Sequence, residues 1–306
     1  MIRALLAVDV GGTRARVRAE AVADATAEVV AECEHDLQWG RPDDAQRELR
    51  VVLELAERAL GEVRGGDPHA LAVAFPGTLD GLGVIQRWPN RSGWTGLPLA
   101  DLLTDRLGIR PVIRDDAVMA AHAEALVPPR QRAASLFYLG VGTGVGGAYV
   151  PADGAGRLDD IIACEPGHLI IWPDAVETCE CGRAGCLQAY ASGRAVRRLA
   201  AMLGPRGAQE QAVRALAIAL ANVAELYAPQ RVVIGGGFAT ARPQLIPQVA
   251  EAVADRARAG TPVPVLETAA HGARSSLMGA VLAARAMLPT DAKCQEHTGP
   301  RERILT

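Results

Sequence analysis

The segment Ala4–Glu20, ALLAVDVGGTRARVRAE, decides the fold. Its apolar run from Ala4 to Val10 has the length of a buried strand, Gly11-Gly12-Thr13 makes a tight turn, and Arg14 to Glu20 resumes as the second strand of a hairpin. The same device recurs where a strand from Leu136 to Val141 meets Gly142-Thr143-Gly144-Val145-Gly146-Gly147 and a strand over Ala148 to Val150 follows. Two such units in succession point to an internal duplication, with two α/β lobes and a ligand cleft between them.

The rest of the chain fills in those lobes. Arg47 to Val63 repeats apolar residues at helical spacing, and Ala70 to Phe75 is a short strand closed by Pro76-Gly77. Leu99 to Leu107 reads as a helix, Pro111 to Ile113 as a strand, and Asp115-Asp116 opens a helix over Ala117 to Leu126. A long helix from Gln211 to Tyr227 precedes a buried strand, Val232 to Ile234, which runs into Gly235-Gly236-Gly237. A last apolar helix covers Leu277 to Ala284. These elements predict a small lobe over 1–118, a large lobe over 119–275, a C-terminal helix at about 276–288 packing back on the small lobe, and a disordered polar tail over 289–306.

Composition narrows the chemistry. With 49% hydrophobic residues in 306 the chain can bury two lobes of ordinary size, and a formal net charge of -3 with no basic block offers no footprint for nucleic acid or an acidic membrane. Lys293 is the sole lysine and sits in the polar tail, so no G-x-x-x-x-G-K-[ST] loop exists and any nucleotide must be held by other donors. No signal peptide precedes the first apolar run and no apolar stretch approaches the roughly 18 residues of a spanning helix, so a cytoplasmic protein is expected.

Gly142 to Gly147 formally fits G-x-G-x-x-G, yet a strand follows it rather than the helix on whose N-terminus a dinucleotide pyrophosphate would rest. A merely structural turn remains the alternative to a phosphate-binding one. Further on, Glu165-Pro166-Gly167-His168 is followed by Cys179-Glu180-Cys181-Gly182-Arg183-Ala184-Gly185-Cys186-Leu187-Gln188. One histidine and three cysteines make a Cys₃His set, which closes a zinc ion tetrahedrally and leaves no position for a catalytic water. Free cysteines in a loop are the alternative at this point. Asp116, standing before a helix, is either an N-cap or a functional carboxylate.

Taken together, Asp9-Val10-Gly11-Gly12-Thr13, Gly142-Thr143-Gly144, Gly235-Gly236-Gly237 and the Glu-Pro-Gly-His and cysteine segment resemble the ROK family of bacterial sugar kinases and repressors, within the actin and hexokinase superfamily. The resemblance covers nearly the whole chain up to the final helix. It implies a two-lobed actin/hexokinase-like (ribonuclease H-like) ATPase fold with a cleft between the lobes and a zinc-bound loop. It implies ATP held by Asp9, Gly11, Gly12, Thr13, Gly142, Thr143, Gly144, Gly236 and Gly237, with Mg²⁺ as the companion ion. It assigns Asp116 as the base that takes a proton from the attacking sugar hydroxyl, and Gly77, Asn90, Asp115, Glu165, His168 and Gln188 as sugar contacts. His168, Cys179, Cys181 and Cys186 become the ligands of a structural zinc, and a homodimer is the expected assembly.

Two departures from the family pattern matter. Asp115 stands where the family has Asn, and Gln188 where the zinc segment ends in Glu. An Asn amide donates and accepts, whereas an ionised Asp only accepts, so Asp115 suits a sugar group that is purely a donor, such as an ammonium. The expectation is an ATP-dependent kinase for the 6-hydroxyl of a 3-amino-3-deoxyglucose such as kanosamine, with glucose as the alternative acceptor. A repressor is not expected, because the nucleotide-binding strand begins at Leu5 and leaves no room for a winged helix. A binding protein without turnover is opposed by the presence of Asp9, Asp116 and all three glycine turns, and a zinc hydrolase by the full Cys₃His coordination.

Overall fold

The computed structural model describes residues 2–23, 28–40, 44–63, 68–128, 135–152 and 157–288. The expected tail, 289–306, lies outside the described residues.

The first apolar run forms β1 (Ile2–Val10), and β2 (Arg14–Ala23) returns antiparallel to it, with Asp9 opposite Arg16. β3 (Val29–Gln38) continues the antiparallel ribbon, whereas β4 (Pro68–Ala74) pairs parallel with β1 and carries the chain to β7 (Val112–Arg114). Between them, β5 (Thr78–Leu79) and β6 (Ile85–Arg87) make a small ribbon. The second sheet is built from β8 (Leu136–Val141), β9 (Val145–Val150), β10 (Ile162–Cys164), β11 (Arg231–Gly235) and β12 (Val265–Thr268). The spatial orders are β3-β2-β1-β4-β7 and β10-β9-β8-β11-β12. Numbered within each sheet, both read third, second, first, fourth, fifth, so the duplication visible in the two glycine hairpins extends to the whole topology.

Helices cover these sheets. α1 (Ala45–Glu62) is capped by Asp44, whose carboxylate accepts from Gln46 and Arg47, and it buries Leu49, Val52, Ala56 and Ala59 against the first sheet. α2 (Leu99–Leu107) ends at Gly108, and α3 (Asp116–Ala125) leads into the second sheet. α4 (Gln188–Ala191), α5 (Gly193–Tyr227), α6 (Gly237–Thr240) and α7 (Leu245–Ala254) belong to the second half, and α8 (Ser275–Met287) closes the described chain. Leu277, Ala280, Val281 and Ala284 of α8 pack on Leu5, Ala7, Ala70, Ala72 and Ala74 of the first sheet and on Met119 of α3. The α3–α8 contact is so close that a side chain on Gly279 would stand 1.8 Å from the Met119 carbonyl oxygen.

Two elements differ from the expected ones. The long helix α5 starts at Gly193, well before Gln211, because Gly204 (φ 72°, ψ 165°) breaks the helix locally and Pro205 restarts it. A Gly-Pro pair reads as a helix stop, yet proline is favourable in a first helical turn. β3 is a half-exposed edge strand, VVAECEHDLQ, paired with β2, whose alternation sets Ala31, Cys33 and Leu37 on the core and Glu32, Asp36 and Gln38 outward, although no strand was expected over it.

Candidate active site

The two glycine hairpins face one another. Gly11 donates to the Arg14 carbonyl at 2.7 Å and closes the first turn; Gly142 donates to the Gly144 carbonyl at 2.9 Å and closes the second. Their threonines meet, with the Thr13 and Thr143 hydroxyl oxygens 3.5 Å apart across the cleft. The third glycine turn follows β11. Gly236 has φ 85° and lies so close to β8 that an added Cβ would be 2.5 Å from the Val141 carbonyl oxygen, so both its conformation and its surroundings require glycine. Gly237 opens α6 beside it.

A cluster of carboxylates lies on the same cleft. Asp9 ends β1, 3.6 Å from the Arg16 guanidinium, and burial pushes its pKa up to about 6 despite that cation. Asp115, not Asp116, is the N-cap of α3: one of its oxygens accepts from the Ala117 amide at 2.9 Å and the Val118 amide at 3.3 Å. Burial, reinforced by Glu165, pushes the Asp115 pKa up to about 6. Asp116 is the first helical residue, and burial, then the charges of Asp115, Asp9 and Glu165, hold its pKa well above the ordinary carboxylate range. Glu165 follows β10 and is raised by burial, with Arg87 opposing. Four carboxylates from three segments distant in sequence, Asp9, Asp115-Asp116 and Glu165, therefore share one electrostatic environment.

The turn Pro166–His168, directly after Glu165, leads into the cysteine segment. His168 Nδ1 lies 3.7 Å from Cys179 Sγ, and Cys181 Sγ lies 3.7 Å from Cys186 Sγ. All four ligand atoms fall within 4.8 Å of one another. A tetrahedron of zinc–sulfur bonds of about 2.3 Å has edges of roughly 3.7 Å, so the donors have the spacing and chemistry of a zinc site. Burial, with the neighbouring cysteines, pushes Cys186 up to about 12, and a cation bound there would favour its thiolate. With Nδ1 turned to the sulfurs, the other ring nitrogen of His168 is left for a different partner.

Among the described residues one other group, Cys33, His35 and Glu62, has metal-like proximity. There Arg58 donates to His35 Nδ1 at 2.9 Å, which leaves Nε2 as the protonated nitrogen facing Glu62 at 3.1 Å. That arrangement is a hydrogen-bond chain, since a metal on Nε2 needs an acceptor, not a guanidinium, at Nδ1.

The remaining expected site residues divide. Asn90 lies on the 3₁₀ turn Pro89–Trp94, its amide against Gly12 and its oxygen 3.5 Å from Arg194 of α5. Arg194 also pairs with Glu180 of the cysteine segment. Gln188 opens α4 and its amide oxygen accepts the Val145 N–H at 2.9 Å, so the cysteine segment is tied to the base of the second hairpin. Gly77 packs between the Phe75 ring and the Arg87 carbonyl. Arg16 is a neighbour of Asp9 that motif reading misses, although the hairpin register, Asp9 opposite Arg16, carries the signal.

Comparison with known proteins places this geometry. The model of the ROK family matches residues 5–287. A kanosamine kinase from Amycolatopsis mediterranei (strain S699) is 37% identical over 303 residues, covering 90% of this chain and 94% of the relative. A glucokinase from Thermotoga maritima is 27% identical over 287 residues, covering 82% and 87% of the two chains. Among solved structures, a ROK hexokinase from Thermus thermophilus superposes with a TM-score of 0.72 at 30% identity over 92% of this chain and 98% of that one. A glucokinase from Streptomyces griseus in complex with glucose and AMPPNP shares the fold at a TM-score of 0.67 and 23% identity, over 92% and 99% of the two chains.

Proposed function

The chain belongs to the ROK family and is a sugar kinase, and we propose that it transfers the terminal phosphoryl group of ATP to the 6-hydroxyl of an amino hexose of the kanosamine type. The observation that carries the amino-sugar reading is the carboxylate cluster of Asp9, Asp115, Asp116 and Glu165 in one buried cleft. Like charges at close range hold protons, and a protonated Asp116 is a poor base; a substrate ammonium beside Asp115 offsets the repulsion and favours the ionised form. The kanosamine kinase likeness at 37% identity supports the same reading.

Each residue then has a task. Asp116, at the N-terminus of α3, accepts the proton of the 6-hydroxyl as the phosphorus–oxygen bond forms. Backbone amides of the hairpins at Gly11–Thr13 and Gly142–Gly144 receive the phosphates in place of the missing lysine. The third turn, Gly236-Gly237, lies against the nucleoside. Mg²⁺, held near Asp9, neutralises phosphate charge when bound. Glu165 and His168 contact ring hydroxyls, His168 through Nε2. His168, Cys179, Cys181 and Cys186 would hold a zinc ion whose role, with all four positions filled by protein ligands, would be to keep that loop in shape.

Asp115 has a second reading. Its hydrogen bonds to Ala117 and Val118 are those an asparagine cap would make, so an Asp here is compatible with a plain glucokinase. A phosphorylation screen over glucose, mannose, N-acetylated hexosamines and free amino sugars separates the two. The amino-sugar reading expects 3-amino-3-deoxyglucose to exceed glucose by roughly tenfold to a hundredfold in kcat/KM, from one charge-assisted contact. Because Asn preserves the helix cap, Asp115→Asn should fold normally and shift preference towards glucose. Equal use of both sugars by the wild type, with the ratio unmoved in Asp115→Asn, would establish the glucokinase reading instead.

A further inference from the structure

Behind the first glycine hairpin lies a buried group that no step above uses. Arg91, on the turn that carries Asn90, is 1% exposed and has a non-helical backbone (φ −148°, ψ 68°) inside the 3₁₀ segment. Its Nη1 pairs with the Glu48 carboxylate of α1, its Nη2 donates to the Gly40 carbonyl at 2.9 Å, and its Nε donates to the Gly12 carbonyl at 3.3 Å. The guanidinium stacks 4.7 Å from the centre of the Trp39 ring, and the Trp39 indole N–H donates to the Gly11 carbonyl at 3.0 Å. Glu48 is held in turn by the Trp94 indole N–H at 2.7 Å. Three of the four tryptophans, Trp39, Trp88 and Trp94, and Phe75 pack edge to face around this group.

In a trans peptide the carbonyl and the following N–H point in opposite directions. Holding the Gly11 and Gly12 carbonyls from behind therefore turns the amides of Gly12 and Thr13 the other way, into the cleft. A cation bonded to the Gly12 carbonyl also polarises that peptide and makes its N–H a stronger donor. We propose that Arg91, braced by Glu48 and seconded by Trp39, is a positioning residue that aims the Gly12 and Thr13 amides at the nucleotide phosphates. The proposal rests on the reading of Gly11–Thr13 as a phosphate hairpin.

A buried Arg–Glu pair is poor evidence of a stability role, since such pairs are often replaceable by apolar groups without loss. The test therefore separates nucleotide handling from folding. Arg91→Lys keeps the charge beside Glu48 but lacks the fork that reaches the Gly12 and Gly40 carbonyls. Trp39→Phe keeps an aromatic ring and removes only the N–H, so it carries the test if Arg91→Lys folds poorly. The expected result is an ATP KM raised about tenfold in Arg91→Lys and a few-fold in Trp39→Phe. Sugar affinity measured without nucleotide should stay within about twofold, and the change in tryptophan emission on ATP binding should be reduced in Arg91→Lys. Thr13→Val serves as the control for the hairpin itself. If Thr13→Val raises the ATP KM and neither Arg91→Lys nor Trp39→Phe does, the brace is wrong and the hairpin stands. If none of the three moves it, ATP binding depends neither on the brace nor on the Thr13 hydroxyl, and the proposal falls. Variants that melt earlier with an unchanged ATP KM would reduce Arg91 to a structural residue.

Discussion

At the N-terminus of α3, Asp115 gives one carboxylate oxygen to the amides of Ala117 and Val118, which leaves Asp116 without a capping duty one residue later. A cap needs extended backbone, and Asp115 has it (φ −53°, ψ 143°); Asp116 is already helical. Asp116→Asn should accordingly fold as well as the wild type and bind sugar within about tenfold of it, while kcat falls at least about a hundredfold, the typical contribution of a positioned base. Calorimetry with a coupled ADP assay measures both, and a variant retaining a tenth of kcat would mean that the base lies elsewhere. The pH profile gives a second test. The Asp115 charge is one cause of the raised Asp116 pKa, after burial, so replacing it by neutral Asn lowers that pKa. The acid limb of kcat/KM on glucose, where the base must be ionised, is expected at lower pH in Asp115→Asn than in the wild type. An unmoved limb would mean that Asp115 and the base do not sense one another.

The cysteine segment acts as one element although it contains little regular secondary structure. Its sulfurs gather at His168, Gln188 fastens it to Val145 below the second hairpin, and Arg194 and Glu180 meet beside Asn90. An ion at the centre would hold the Glu165–His168 turn where the sugar is expected. Purified protein should contain about one zinc per chain, and Cys181→Ser should lower zinc content, melting temperature and sugar affinity together, because metal binding free energy is folding free energy in such a loop. Metal analysis and thermal unfolding read the first two; folded, active protein without zinc would overturn the assignment. Gln188→Leu, which removes the acceptor for Val145 but no metal ligand, is expected to keep its zinc and weaken ATP binding, since it loosens the second hairpin.

At the scale of the molecule, the two sheets are joined through α3 and α8. α3 packs on β8 and β9 of the second sheet, α8 on β1 and β4 of the first, and Glu124 of α3 accepts from Ala270, His271 and Ser275 at the start of α8. Asp116, the proposed base, thus sits on the helix that packs between the two sheets, near the glycine hairpins of both. Gly279 makes that junction possible, and Gly279→Ala would push a methyl into the Met119 backbone, where no rotamer can relieve it. Its expected cost is about 1–3 kcal/mol of stability, seen as a lower melting temperature, with zinc content unchanged. A variant as stable as the wild type would mean that the helices can separate without loss.

Local sequence carried the two glycine hairpins, the gathering of Cys179, Cys181 and Cys186 with His168 and most core elements, because a buried strand, a tight turn and clustered thiols each need particular residues within a few positions of one another. The boundaries of α2 and β8, Leu99–Leu107 and Leu136–Val141, are legible for that reason. An element supported by a long-range core was not legible: α5 runs past Gly204-Pro205 because the second core supports both of its parts, whereas β3 shows in its own residues the alternation of a half-buried strand. The site shows the same division. Asp9, Asp116 and Glu165 can be picked out by residue type and motif, but their mutual repulsion depends on distances between segments far apart in sequence, with Asp9 more than a hundred residues from either of the others. Which of Asp115 and Asp116 caps the helix, and that Arg91 and Trp39 hold the first hairpin from behind, follow only from where the backbone places those side chains in space.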